Sequence, residues 1–272
     1  MTATAPTSAR SSQPPTDLGD RHLNGLAGAA TVPTEGFQMV QLLLGGAVDL
    51  NNIAAVSGPA GSGKSFAVDH FVRTHPAMRG REWHWLDMPP KPTTKEVTVR
   101  LMDAVGVRRR RGDTEYDLTE LLVPALQGSQ RVVVIDEAQN LQTTGLQQLR
   151  YLHDRGRPSS WTLLLVGSTV HTKLSKAQEL ASRVSAWVQF EPLTDRPLLQ
   201  ALQSWHPVLR DLSPKLLLRI DDIFGRGNFR NWAQFLRALL TLLDQQPAGT
   251  IPDTRLVQAA LAAVSPSRVR AR

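Results

Sequence analysis

The chain has 272 residues, 41% of them hydrophobic, no cysteine, and a formal net charge of +7 at pH 7. That length allows one sizeable core and a smaller satellite, and the lack of cysteine excludes disulfides and thiolate-ligated metals. No apolar run reaches the length of a membrane span and no export signal opens the chain, so a cytoplasmic protein without a membrane partner is expected.

Residues 1–32 are rich in Ala, Thr, Ser, Pro and Gly. They carry too little apolar content to offset the entropy of ordering, which predicts a disordered tail. Helical apolar spacing from Phe37 to Val48 leads into the apolar run Ile53–Val56, a buried strand. Directly after it, Gly58-Pro-Ala-Gly-Ser-Gly-Lys-Ser65 matches the pattern G-x-x-x-x-G-K-[ST] in full, and a helix from Ser65 to Val72 follows. A short strand, Glu82–Asp87, and a Pro-rich loop, Met88–Pro92, come next. Thr94 is placed to cap a helix running to Val105, with Val97, Leu101 and Val105 on one face. The basic loop Arg108–Gly112 precedes a helix at Asp117–Leu126 and the strand Val132–Ile135. A helix at Gly145–Asp154, a strand at Thr162–Val166, a helix at Val170–Leu180 and a strand at Ala186–Phe190 complete an alternating series. Five strands alternating with helices predict an α/β fold with a parallel, doubly wound sheet. Beyond Pro192 the strand pattern stops. Leu198–Trp205, Pro214–Phe224 and Phe229–Leu243 read as a small all-helical lid, followed by a helix near Pro252–Val264 and a basic tail, Arg268–Arg272. The expected units are therefore 1–32 (tail), 33–190 (nucleotide-binding core), 191–246 (lid) and 247–272 (last helix and tail).

The glycine loop carries the first chemistry. Strand, loop, Lys-Ser pair and helix together form the context a phosphate-binding loop needs, in which backbone N–H groups and the helix's positive end converge on an anion. Gly58, Pro59, Ala60, Gly61, Ser62, Gly63, Lys64, Ser65 and Phe66 make up the expected nucleotide-binding set. Lys64 is placed to reach the β- and γ-phosphates, and the Ser65 hydroxyl to ligate Mg²⁺. The second half of the site is Arg131-Val-Val-Val-Ile-Asp-Glu137. Its β-branched run suits a strand buried on both faces, and Asp136 ends it at the carboxyl edge, where open α/β sheets bind ligands. A carboxylate there can hold Mg²⁺, and Glu137 is placed to deprotonate a water that attacks the γ-phosphate. The pair implies hydrolysis as well as binding. The seven histidines show no ligand spacing, and Trp83 and Trp85, alternating on a strand, read as packing residues.

The phosphate loop, the Val-Ile-Asp-Glu strand, the two further strands and the helical lid together resemble an AAA+ ATPase, over roughly residues 33 to 245. The resemblance implies a five-stranded parallel sheet with a small all-helical lid, and ATP with Mg²⁺ as cofactors. It also implies roles for further residues. Leu163-Leu-Leu-Val-Gly-Ser-Thr169 resembles the segment carrying the family's polar sensor, with Ser168 or Thr169 in that place. Glu179-Leu-Ala-Ser-Arg183 is similar to the signature that bears the family's arginine finger, which serves a neighbouring subunit. Gly227-Asn-Phe-Arg230 resembles the motif from which a lid arginine contacts the γ-phosphate, with Arg226 the alternative.

Val32-Pro-Thr34, Asp136-Glu-Ala-Gln-Asn-Leu141 and Leu146-Gln-Gln-Leu-Arg-Tyr-Leu152 narrow the resemblance to the TniB/MuB-type transposition ATPases. That group implies a homo-oligomer, ring or helical filament, which assembles on double-stranded DNA and engages a transposase. The basic balance of the chain is compatible with a polyanionic partner. Lys91, Lys95, Arg100, Arg108 and Arg109, beside the second strand and its following helix, are the DNA-binding residues this architecture implies. The same Asp-Glu-Ala-Gln core also resembles replication-initiator or loader ATPases and the ExeA-type secretion ATPase. A nucleotide-gated interaction module that does not touch DNA is the remaining alternative.

Overall fold

A computed structural model of the chain describes residues 26, 28–127, 130–155, 161–247 and 249–265. Most of the expected N-terminal tail and the basic tail Arg268–Arg272 lie outside the described residues.

Five strands, β1 (Ile53–Ser57), β2 (Glu82–Asp87), β3 (Arg131–Asp136), β4 (Thr162–Gly167) and β5 (Val184–Gln189), form one sheet in the order β2-β3-β4-β1-β5, every pair parallel. The three inner strands are buried nearly throughout, which their runs of Val, Ile and Leu dictate. Alternation then sends successive side chains to opposite faces. Ala54, Val56, Val132, Val134, Leu164 and Val166 pack under α1 (Glu35–Asp49) and α2 (Lys64–Thr74). Ile53, Ala55, Val133, Ile135, Leu163 and Leu165 face α3 (Thr94–Val105), α4 (Glu115–Leu126) and α5 (Thr143–Arg155). This is the doubly wound α/β architecture expected, and it brings the carboxyl ends of β1, β3 and β4 to one edge.

Local boundaries differ from the sequence expectation where capping decides. Thr93, not Thr94, caps α3, its hydroxyl accepting from the Glu96 N–H at 3.2 Å. A reciprocal Thr114–Asp117 capping box starts α4 at Glu115, two residues earlier than expected. The helix expected over Val170–Leu180 divides into α6 (Val170–Ser175) and α7 (Gln178–Ala181).

The lid comprises α8 (Asp195–Trp205), α9 (Pro207–Arg210), α10 (Pro214–Ile220) with a π-helical continuation at Asp221–Gly225, α11 (Phe229–Leu243) and α12 (Thr254–Val264). Trp205, Ile220, Trp232 and Phe235 form its core with Val257, Ala260 and Leu261 of α12. The last helix therefore packs as part of the lid core rather than standing apart from it. Leu26, expected in the disordered tail, is only 7% exposed in the same core, and the Ala30 N–H donates to the Trp205 carbonyl at 2.7 Å. Leu26 and the segment from Gly28 to Thr34 thus lace the lid to the start of α1. Among the described residues no helix is long and apolar enough to cross a membrane, and no group of three or more His, Asp or Glu side chains is placed to hold a metal by itself.

Candidate nucleotide site

The loop after β1 turns on glycines that no other residue replaces cheaply. Gly58, Gly61 and Gly63 have φ of +146°, +80° and +99°. A Cβ on Gly58 would lie 2.5 Å from the Phe190 carbonyl oxygen, and one on Gly61 2.3 Å from Asn228 Oδ1. Left-handed residues at 61 and 63 make a concave nest of backbone, and α2 begins immediately after it, adding its positive end. Ser62 Oγ is buried without a hydrogen-bond partner among the described residues. A buried hydroxyl of this kind is costly unless a ligand satisfies it. Lys64 is 7% exposed, and its Nζ donates to the Pro59 carbonyl at 2.7 Å. Burial lowers its pKa; the nearby Asp136 and Glu137 carboxylates oppose that shift, while Arg230 adds to it.

Asp136 ends β3 and is 9% exposed. Its carboxylate accepts from the Glu137 N–H at 2.8 Å and from the Ser65 hydroxyl. Burial still raises its pKa, with Asp87 and Glu137 pushing the same way. Hydroxyl and carboxylate side by side, all oxygen, are the donor set Mg²⁺ takes in nucleotide sites. Nucleotide and metal thus both fit the residues present: Gly58 to Ser65 for the phosphates, Ser65 and Asp136 for the metal.

Glu137 is exposed and left-handed, with φ +52°. A non-glycine residue held there stores roughly 1–3 kcal/mol and points to a conformation the surroundings enforce. Gln139 is part of that enforcement, and sequence reasoning missed it. Its Nε2 donates to Glu137 Oε2, while its Oε1 accepts from the Ser168 N–H at 3.0 Å. Gly167 must be glycine for this bridge, since a Cβ would sit 1.9 Å from Gln139 Oε1. Ser168 lines the pocket, whereas Thr169 is exposed at the start of α6 and does not. Of the two sensor candidates, Ser168 is the one beside the acid pair.

The lid closes the other side. Arg230 lines the pocket from the first turn of α11, close enough for its charge to act on Lys64. Arg226, the alternative, is left-handed (φ +54°) in the preceding turn and does not line the pocket. Asn228 caps α11 and donates through Nδ2 to the Ala60 carbonyl of the loop. Away from the charges, Val32, Phe37, Phe190, Trp205 and Phe229 give the cavity an apolar wall. Such a wall suits the flat face of a nucleobase.

Arg183 lies elsewhere. It precedes β5, whose Val184 pairs with Ile53 at the amino end of β1. The whole length of β1, about 16 Å at ~3.3 Å per residue, therefore separates it from the phosphate loop. Its Nε donates to Asp154 Oδ1 at 3.1 Å. The basic residues beside β2 are also outside the pocket. Lys91 is exposed and left-handed (φ +52°) in the Pro-rich loop. Asn140 Nδ2 holds that loop at the Met88 carbonyl (2.8 Å), and Gln142 Nε2 at the carbonyls of Lys91 (3.3 Å) and Pro92 (3.4 Å). Lys95 donates to the Asp113 carbonyl at 2.9 Å, Arg100 pairs with Glu96 at 3.2 Å and Arg109 with Asp103 at 3.6 Å; Arg108 is exposed.

Fold and site have the P-loop architecture of AAA+ proteins. Residues 48–173 match the family described as AAA domain. The chain is 26% identical over 186 residues to the Mu-like prophage FluMu DNA transposition protein B of Haemophilus influenzae, an alignment covering 64% of this chain and 61% of the relative. Together these matches make the chain similar to MuB/TniB-type AAA+ proteins, and it spans under two thirds of that relative's length. Among solved structures, Cdc6p from Pyrobaculum aerophilum superposes with a TM-score of 0.67 at 17% identity, covering 83% of this chain and 66% of that one. The Aeropyrum pernix ORC1 protein in complex with DNA gives 0.60 at 17%, covering 84% and 64%. At that identity the likeness is one of fold.

The raised pKa of Asp136 has a measurable consequence. A carboxyl whose folded pKa exceeds its unfolded value contributes stability that is full below the unfolded pKa and lost as pH rises through the folded one. The ionised form that a metal needs is thus disfavoured in the metal-free protein. Calorimetric titration with ATP, with and without Mg²⁺, should show the Mg²⁺-dependent gain in affinity fading on acidification at a pH above the usual aspartate range. Asp136→Asn should lack that gain at every pH. A wild-type midpoint within the usual aspartate range would contradict the assignment.

Proposed function

We propose that this chain hydrolyses ATP in a Mg²⁺-dependent reaction, assembles on double-stranded DNA as a homo-oligomer, and recruits or activates a transposase at target DNA. The observation that carries the catalytic part is the convergence of Lys64, Ser65, Asp136 and Glu137 on one nest of left-handed glycines. Likeness to a DNA transposition protein B supports the biological part.

In this reading the backbone of the loop and Lys64 hold the β- and γ-phosphates. Ser65 and Asp136 hold the metal, which supplies neutralisation of phosphate charge when bound. Glu137 accepts a proton from the attacking water as its oxygen bonds to the γ-phosphorus and the bond to the departing ADP oxygen breaks. Ser168 and Arg230 flank the γ-phosphate, Arg230 adding positive charge from the lid. Glu137→Gln should keep ATP binding but slow hydrolysis by roughly 10²–10⁴-fold, as expected for loss of a positioned base. Lys64→Ala should weaken binding itself. Wild-type turnover in Glu137→Gln would remove Glu137 from the base role.

Arg183, a strand length from its own loop, acts in a neighbour's site. Neither Arg183→Ala nor Lys64→Ala should hydrolyse ATP well alone, yet mixing the two should recover activity at hybrid interfaces. Absence of recovery at every mixing ratio would argue for a self-sufficient monomer.

Double-stranded DNA runs along the β2–α3 side. Lys91 has no ion-pair partner among the described residues, whereas Arg100 and Arg109 are each paired with an acid, which reduces what they offer a phosphate. Binding is non-specific and salt-dependent, each phosphate contact contributing a slope of about −0.9 in log affinity against log salt. Replacing Lys91 and Lys95 with Ala should lower affinity for all DNA sequences and flatten that slope, with ATP binding unchanged. An unaltered slope would place the DNA elsewhere. ATP turnover indifferent to DNA at every salt concentration would favour the alternative of a nucleotide-gated interaction module.

A further inference from the structure

Lys64 and Arg230 bring two positive charges to one pocket, and like charges repel most where burial lowers the dielectric. Something other than charge must hold the arginine over the loop before a triphosphate arrives. Asn228 is built to do it. Its Oδ1 accepts from the backbone N–H groups of Arg230 at 2.9 Å and Asn231 at 3.3 Å, satisfying two of the donors that open α11. With the oxygen committed to the helix, the amide nitrogen faces the phosphate loop and donates to the Ala60 carbonyl. The approach leaves no space between loop and lid: a Cβ on Gly61 would meet Asn228 Oδ1 at 2.3 Å and Arg230 Cβ at 2.8 Å.

The turn behind Asn228 is equally constrained. Arg226 and Gly227 are consecutively left-handed. Asp221 Oδ1 accepts from the Gly227 N–H and from Trp232 Nε1, both at 2.8 Å. A Cβ on Gly227 would lie 2.2 Å from the Leu193 carbonyl oxygen. Asn231 Nδ2 closes the turn onto the carbonyls of Phe224 at 3.1 Å and Gly225 at 3.2 Å. The π-helical stretch therefore ends in a fixed bracket whose tip is the Asn228 amide.

We propose that Asn228 is a positioning residue for Arg230, tying the first turn of α11 to the Ala60 carbonyl so that the arginine is held in place for the γ-phosphate. This rests on the reading above in which the pocket takes ATP and Arg230 meets its γ-phosphate. ADP lacks that phosphate, so the bond bears on the choice between ATP and ADP and leaves binding of the shared phosphates alone.

Asn228→Ser separates the two halves of the side chain's work, because serine caps a helix as well as asparagine but has no amide to reach Ala60. Asn228→Thr, a neutral cap likewise without the donor, serves as a second variant. Each should melt close to wild type and bind ADP with wild-type affinity. Each should lose roughly tenfold or more of the preference for ATP over ADP, the scale of one hydrogen bond to a charged group. Arg230→Ala should lose the same preference, and combining it with Asn228→Ser should cost nothing further, since a residue acting through another is not additive with it. Wild-type preference in both Asn228 variants, equal loss of ATP and ADP, or an additive double mutant would each overturn the proposal. An Arg230→Ala protein that still prefers ATP would instead overturn the reading of Arg230, and the role of Asn228 with it.

Discussion

The site depends on a parallel sheet whose inner strands are buried on both faces, so that three of them end at one edge with their side chains already fixed. Position at that edge is what gives ordinary residues their chemistry. Ser57 is followed by the glycine loop, Ile135 by the acid pair, and Val166 by Gly167 and Ser168, and these ends fall within two positions of one another across β3, β4 and β1. Helix packing on either face keeps them there, since any slip of one strand by one residue would exchange its two hydrophobic sets.

Onto this frame the protein arranges opposing charges at close quarters. Lys64 loses hydration but gains Asp136 and Glu137 as neighbours, and Asp136 is disfavoured as an anion by the same burial. Neither group reaches its preferred state in isolation. A phosphate chain with its metal complements both, meeting the cation with anionic oxygens and the buried carboxylate with a cation. The affinity of such a site comes from ligand charge replacing the water that folding removed.

Much of this was legible in the sequence. The glycine loop with its Lys-Ser pair and the Val-Ile-Asp-Glu run are local patterns whose spacing already encodes a strand end, and the residues at 64, 65, 136, 137, 168 and 230 do converge. What escaped detection depends on partners distant in the chain. Gln139 looks like any polar residue after a strand until Gly167 and Ser168 are placed beside it. Asn228 reads as a helix cap, but nothing local says that its free nitrogen meets a residue 168 positions earlier in the chain. Leu26 sits in a stretch whose composition argues for disorder, and only the apolar pocket offered by the lid orders it. The helix expected over 170–180 breaks at Ala177, whose backbone leaves the helical region at φ −116°, ψ 61°.

The short segment that follows Glu137 also touches something remote from phosphate. Asn140 and Gln142 reach across to the Met88–Pro92 loop and occupy its carbonyl oxygens. That loop has three prolines in five residues and hence few backbone donors with which to organise itself. Its shape, and with it the left-handed placement of Lys91, is borrowed from side chains only three and five residues beyond the strained glutamate. The acid at the end of β3 and the basic loop beyond β2 are in this sense two ends of one short lever, with the turn at Ala138–Asn140 as its fulcrum.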